Sequence, residues 1–107
     1  MDYKNLIVSS EGPVTIMTLN RPNKLNSIDK DMLESLNSAI DALARDKSCR
    51  AVIITGAGDK SFCTGADINY LKDLADEKAA SAFVDKVHSV FNRIENLEKP
   101  VIAAVGG

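Results

Sequence analysis

Ser61-Phe62-Cys63-Thr64-Gly65-Ala66-Asp67-Ile68 is the stretch of this 107-residue chain best equipped for chemistry, and what it offers is main chain. Small residues flank a glycine just before a predicted helix, which favours exposed amides. N–H groups at a helix start have no partner inside the helix, so they can donate to an anion or to an oxyanion that develops during a reaction. An ordinary loop whose aspartate caps the next helix has the same composition, and spacing alone leaves both readings open.

Other candidates fall away on their spacing. Gly56-Ala57-Gly58 follows an apolar run, but the third glycine of a dinucleotide fingerprint would fall at Ser61. A phosphate-binding loop fails as well, because Asp59 and not glycine precedes Lys60-Ser61, so the segment reads as a strand-to-loop turn. His88, the only histidine, has no second ligand or nucleophile near it in sequence and reads as a surface or partly packed side chain. Cys63 lies beside the amide-rich loop, yet no neighbouring cation in sequence would lower its pKa, so it reads as packing. No cysteine or histidine spacing matches a metal site, and none is expected.

The elements that must position this loop follow from periodicity. Asn5–Val8 and Val14–Leu19 are β-rich runs around the turn formers Ser9-Ser10-Glu11-Gly12-Pro13, which predicts a hairpin with one drier face. Arg21-Pro22 ends the second run, since proline gives the ladder no amide. From Asp29 to Arg45, Met32, Leu33, Leu36, Ile40, Leu43 and Ala44 keep helical spacing, with Ser27 or Asp29 available as the N-cap. Ala51–Thr55 is an apolar run too short for a helix, which predicts a strand covered on both faces in a partly parallel sheet. A short helix is predicted from Ala66 or Asp67 to about Leu74, and a longer one from Glu77 to Leu97 on the period of Phe83, Val84, Val87, Phe91 and Ile94. Lys99-Pro100 then gives way to a fourth β-type run, Val101–Val105, before the chain ends at Gly106-Gly107. A strand normally feeds a turn and a further element, so the single domain 1–107 is expected to be truncated after Gly107.

Composition narrows the partners. Thirteen basic and fifteen acidic residues, scattered along the chain, form no basic stripe that could follow a nucleic-acid backbone. The charged fraction of 26% and the mixed-polarity N-terminus, Met1-Asp2-Tyr3-Lys4-Asn5, argue against a membrane span and against a signal peptide. A reducing, cytoplasmic setting with Cys49 and Cys63 as free thiols is therefore expected.

Three separated segments, in order, then carry a resemblance that spans nearly the whole chain. They are Leu19-Asn20-Arg21-Pro22 with Leu25-Asn26-Ser27, Ile53-Ile54-Thr55-Gly56 with Phe62-Cys63-Thr64-Gly65-Ala66-Asp67-Ile68, and Lys99-Pro100-Val101-Ile102-Ala103-Ala104-Val105. Together they resemble the N-terminal part of the crotonase (enoyl-CoA hydratase/isomerase) family. The resemblance implies an α/β fold, the ClpP/crotonase-like ββα spiral in its incomplete N-terminal part, and a homotrimer or pair of trimers for a complete protein. It implies no prosthetic group; coenzyme A enters as part of an acyl-CoA thioester substrate. The backbone amide of Ala66 becomes an oxyanion-hole donor to the thioester carbonyl, while Lys24, Leu25, Ser27 and the backbone of Asp67 and Ile68 hold the adenine and pantetheine portions of CoA. The implied activity is lyase or isomerase chemistry through an enolate, in fatty-acid or related acyl-CoA metabolism.

The family's second oxyanion glycine and its catalytic carboxylates belong to a segment expected beyond Gly107. Glu11, Glu34, Glu77, Glu95 and Glu98 match none of those carboxylate positions. The 107-residue chain by itself is thus expected to be inactive, and a catalytically dead CoA-binding or interaction module stands as the alternative.

Overall fold

Leu6–Glu11 (β1) and Val14–Leu19 (β2) form an antiparallel hairpin in a computed structural model that describes residues 3–58, 62–63 and 65–104. The predicted turn, 9–13, is too long. Ser9, Ser10 and Glu11 stay in the ladder opposite Ile16, Thr15 and Val14, and only Gly12-Pro13 turns the chain. Gly12 supplies the left-handed backbone (φ +58°) that a two-residue hairpin loop requires, so the ladder can run to its last pair.

From β2 the chain crosses over through helix α1 (Lys30–Arg45) to β3 (Ala51–Gly56), parallel to β2. A short helix α2 (Ile68–Lys72) and the long α3 (Glu77–Glu95) precede β4 (Val101–Ala104), which lies parallel to β3, giving the order β1-β2-β3-β4. The predicted extension of the last strand to Val105, the terminal glycines, and Asp59–Ser61 and Thr64 of the loop lie outside the described residues.

Each α-helix begins on an aspartate whose carboxylate accepts a first-turn amide: Asp29 from Met32, Asp67 from Tyr70 and Asp76 from Ala79. Asp29, not Ser27, is therefore the cap of α1. The buried stripe of α1 is Met32, Leu33, Leu36, Ala39, Ile40 and Leu43; Ala44 faces water, and Ala39 occupies the stripe instead. Phe83, Val87, Val90 and Ile94 of α3 complete a core with Leu6, Met17, Leu19, Val52 and Ile54 of the sheet. Fully burying a side chain such as Met17 contributes about 1.5–3 kcal/mol.

The expectation of a strand covered on both faces is corrected here. Along β2 and β3 burial alternates: Thr15, Met17, Leu19, Val52 and Ile54 are packed, whereas Val14, Ile16, Ile53 and Thr55 are only half-buried. Within the described residues the packed side chains of the sheet share one face, and an unbroken apolar run does not report this because both faces are built of β-branched residues.

Candidate functional site

The loop after β2 is shaped by two consecutive left-handed residues, Leu25 (φ 54°) and Asn26 (φ 56°). Such a backbone costs a β-carbon-bearing residue roughly 1–2 kcal/mol. Asn26 offsets the cost through its fully buried side-chain amide: Oδ1 accepts the Arg21 N–H at 2.8 Å and Nδ2 donates to the Ala57 carbonyl at 2.9 Å. The end of β3 comes close enough that a β-carbon on Gly56 would lie 2.4 Å from the Phe62 carbonyl oxygen and 2.8 Å from Asn26 Nδ2. Glycine is the residue that fits there.

Beyond this loop, segments 27–29 and 65–67 are joined by a parallel bridge between Ile28 and Ala66. The Ile28 N–H donates to the Gly65 carbonyl at 2.7 Å, and the Asp67 N–H to the Ile28 carbonyl at 2.8 Å. In a trans peptide the carbonyl and the N–H point in opposite directions. Fixing the Gly65 carbonyl on Ile28 therefore turns the Ala66 N–H, the other end of that same peptide, away from Ile28. Among the described residues this N–H has no hydrogen-bond partner.

Behind the bridge lies Arg21. Its Nη1 donates to the Ser27 carbonyl at 2.7 Å and to Asp67 Oδ2 at 3.0 Å, while Nε faces Asp29 Oδ2 at 3.6 Å. Asp67 is held at both oxygens, because Oδ1 accepts the Tyr70 amide at 3.1 Å. Burial by itself would raise the Asp67 carboxyl, but the Tyr70 amide and the Arg21 guanidinium outweigh it and hold the group below its ordinary pKa. Burial pushes the Cys63 thiol up, against a smaller opposing effect of the Gly65 amide, which donates to Sγ at 3.4 Å. A protonated, half-buried thiol suits the packing role read from sequence.

A cleft of about 300 Å³ opens along this seam. Lys24, Leu25 and Ser27 form one wall and Ala66, Asp67 and Ile68 the other, so every position singled out from sequence lines a single cleft. Leu25 and Ile68 are 44% and 67% exposed, so the lining joins solvent-facing apolar surface to the side chain of Lys24. Asn23 and Asn69 also line it and were not anticipated; an asparagine in a single 3-10 turn and one in the first turn of a short helix carry no local signal of a cleft. The Asp67 backbone is largely committed, its N–H to Ile28 and its carbonyl to the Leu71 amide at 3.0 Å, so a ligand meets only the carbonyl's second lone pair.

A slightly larger cavity, about 320 Å³, lies between the helices and is lined by Leu33, Tyr70, Leu74 and Phe83 under Lys30 and Glu34. It holds none of the sequence-derived positions, and its walls bring no set of groups suited to chemistry. Size therefore does not select the site; the free amide does.

Similarity to known proteins bears on the family of the chain. Residues 14–107 match the family model for enoyl-CoA hydratase/isomerase. The whole chain is 43% identical to the short-chain-enoyl-CoA hydratase of Clostridium acetobutylicum and 41% identical to the crotonyl-CoA hydratase of Syntrophomonas wolfei, covering 41% of each. The crystal structure of an enoyl-CoA hydratase from Bacillus anthracis superposes with a TM-score of 0.93 at 32% identity, over 97% of this chain and 40% of that one. The chain thus spans about two-fifths of the length of the relatives it matches.

Proposed function

We propose, because this chain belongs to the enoyl-CoA hydratase/isomerase family, that its cleft binds the thioester end of an acyl-CoA and that the Ala66 N–H polarises the thioester carbonyl. What supports the reading is one geometric fact: the Ala66 N–H, turned away from Ile28 by the Gly65 hydrogen bond, lacks a partner among the described residues and belongs to a cleft-lining residue. An amide held rigidly where negative charge develops contributes about 3–4 kcal/mol to a transition state.

Electron density that moves onto the thioester oxygen, when an enolate forms or when water adds to a conjugated double bond, is met by a donor that needs no reorganisation. Lys24 offers a cation to a phosphate of the CoA portion, and Leu25 and Ile68 offer apolar cover to its pantetheine arm. Asp67, the carboxylate among the described residues lining the cleft, is committed to Arg21 and to the Tyr70 amide. The described residues that line the cleft thus offer binding and polarisation, with Asp67 committed elsewhere and so unsuited to act as a general acid or base. For the whole protein the reading extends to hydration or isomerisation of a 2-enoyl-CoA in the cytoplasm by a trimer or a pair of trimers, on the strength of the family alone.

The test is Ala66→Pro, which deletes the donor. In the whole protein, with the variant keeping the wild-type circular dichroism, kcat on enoyl-CoA thioesters should fall about 100- to 1,000-fold. The carbonyl stretch of a bound ¹³C-labelled acyl-CoA should also lose its downshift. An unchanged kcat in the folded variant overturns the assignment.

A further inference from the structure

Three groups stand in a line behind the proposed oxyanion donor. Arg21 Nη1 donates to the Ser27 carbonyl at 2.7 Å. That carbonyl belongs to the same peptide as the Ile28 N–H, which donates to the Gly65 carbonyl at 2.7 Å. The Gly65 carbonyl in turn shares its peptide with the Ala66 N–H, which is turned away from Ile28.

Each link runs donor to acceptor in the same sense, and the first donor is a cation. A cation on a peptide carbonyl draws density from that peptide and makes its N–H a stronger donor, and chains of such bonds strengthen one another by about 10–30% per link. A trans peptide is also a rigid plate, so fixing its carbonyl fixes the direction of its N–H.

We infer that Arg21 is a positioning residue that aims and polarises the Ala66 amide through this two-peptide relay, without touching the ligand. Arg21 is not among the residues that line the cleft, and its side chain is only 14% exposed. The guanidinium itself is immobilised, since Asp67 Oδ2 at 3.0 Å and Asp29 Oδ2 at 3.6 Å hold it against the Ser27 carbonyl. The sharing of Nη1 between the Ser27 carbonyl and the Asp67 carboxylate keeps the relay's first donor at a fixed angle. A lysine would keep the charge but lose the planar fork that meets these acceptors together.

The inference rests on the proposed role of Ala66, and the experiment separates the two. Isotope-edited infrared spectra of a ¹³C-labelled acyl-CoA thioester, with kcat and KM, would be taken on the whole protein as wild type, Arg21→Met, Arg21→Lys and, as a control on the helices, Arg93→Met. The relay predicts that Arg21→Met loses most of the carbonyl downshift and about tenfold to a hundredfold in kcat, with KM changed less than about threefold. Arg21→Lys should recover part of both, and Arg93→Met should leave both unchanged. If Arg21→Met is folded and keeps the full downshift, the relay is wrong while the Ala66 assignment stands; if the wild-type protein shows no downshift, both are wrong.

Should Arg21→Met fail to fold, through-hydrogen-bond NMR coupling between the Ile28 nitrogen and the Gly65 carbonyl carbon in the wild-type protein decides. Its presence, with Ile28 and Ala66 amide protons that shift downfield together when the acyl-CoA is added, supports the relay. Its absence, or an Ala66 proton that moves while Ile28 does not, overturns it.

Discussion

The guanidinium of Arg21 meets the carboxylate of Asp67 at 3.0 Å although the two residues lie 46 positions apart in the chain. That pair joins the loop after β2 to the start of α2, and so closes the back of the cleft. Both side chains are mostly buried, so the pair is screened far less than a surface ion pair would be.

Its first consequence is a pH dependence. The folded-state pKa of Asp67 lies below the ordinary 3.8, so the stability it contributes is fully present above that value and is lost as pH falls through the folded pKa. Asp67→Asn should cost about 2 kcal/mol near neutral pH. Denaturation curves should show that deficit constant above the ordinary carboxylate range and shrinking as pH falls through the folded pKa. A deficit that stayed constant to the acid end would mean the charge on Asp67 contributes nothing.

Gly56→Ala places a β-carbon against the Phe62 carbonyl and the Asn26 amide, one a main-chain atom and the other locked in two hydrogen bonds. Neither yields readily. The substitution should destabilise by about 1–3 kcal/mol, read as a lower midpoint in urea with an unchanged slope.

Asn26→Gly keeps a residue tolerant of the left-handed backbone but strips the bonds to the Arg21 amide and the Ala57 carbonyl. A loss of about 2 kcal/mol in the same assay is expected, because part-buried main-chain groups at Arg21 and Ala57 are left unsatisfied. The loop should loosen at the same time, with faster hydrogen exchange at the Arg21 amide than in the wild-type protein.

Cys63 should react slowly with a thiol reagent at neutral pH. Burial holds its pKa above the ordinary 9.0, so the labelling rate should keep rising with pH beyond that value and jump on unfolding. Rapid labelling of the native protein at pH 7 would contradict the packing role.

Much of the fold was legible because its signals are local. The stripe of α1, the period of α3 and the strand runs are written in consecutive residues, and α1 and α3 appear within a residue or two of their predicted bounds. The ββα resemblance likewise carried Lys24, Leu25, Ser27, Ala66, Asp67 and Ile68 to what proves to be one cleft. The partnership of Arg21 with Asp67 was not legible, since an arginine before a proline and an aspartate before a short helix each have an ordinary local explanation. Nor was the lining role of Asn69 or the locking role of Asn26, whose partners come from distant segments. The one-sided packing of β3 escaped for a different reason: Ile53 and Ile54 are equally apolar, and only the course of the helices decides which is covered.

Lys99 shows how the sheet receives instruction from outside itself. Its ammonium donates to the carbonyls of Leu43 and Asp46, at the C-terminal end of α1, just before Pro100 leads into β4. The four described residues of β4 make few ladder bonds to β3 with which to choose an alignment, and a slip of one residue would turn Val101 and Ala103 to the opposite face. One flexible side chain, anchored on a helix completed more than fifty residues earlier in the chain, therefore acts as the ruler from which the last strand takes its starting point.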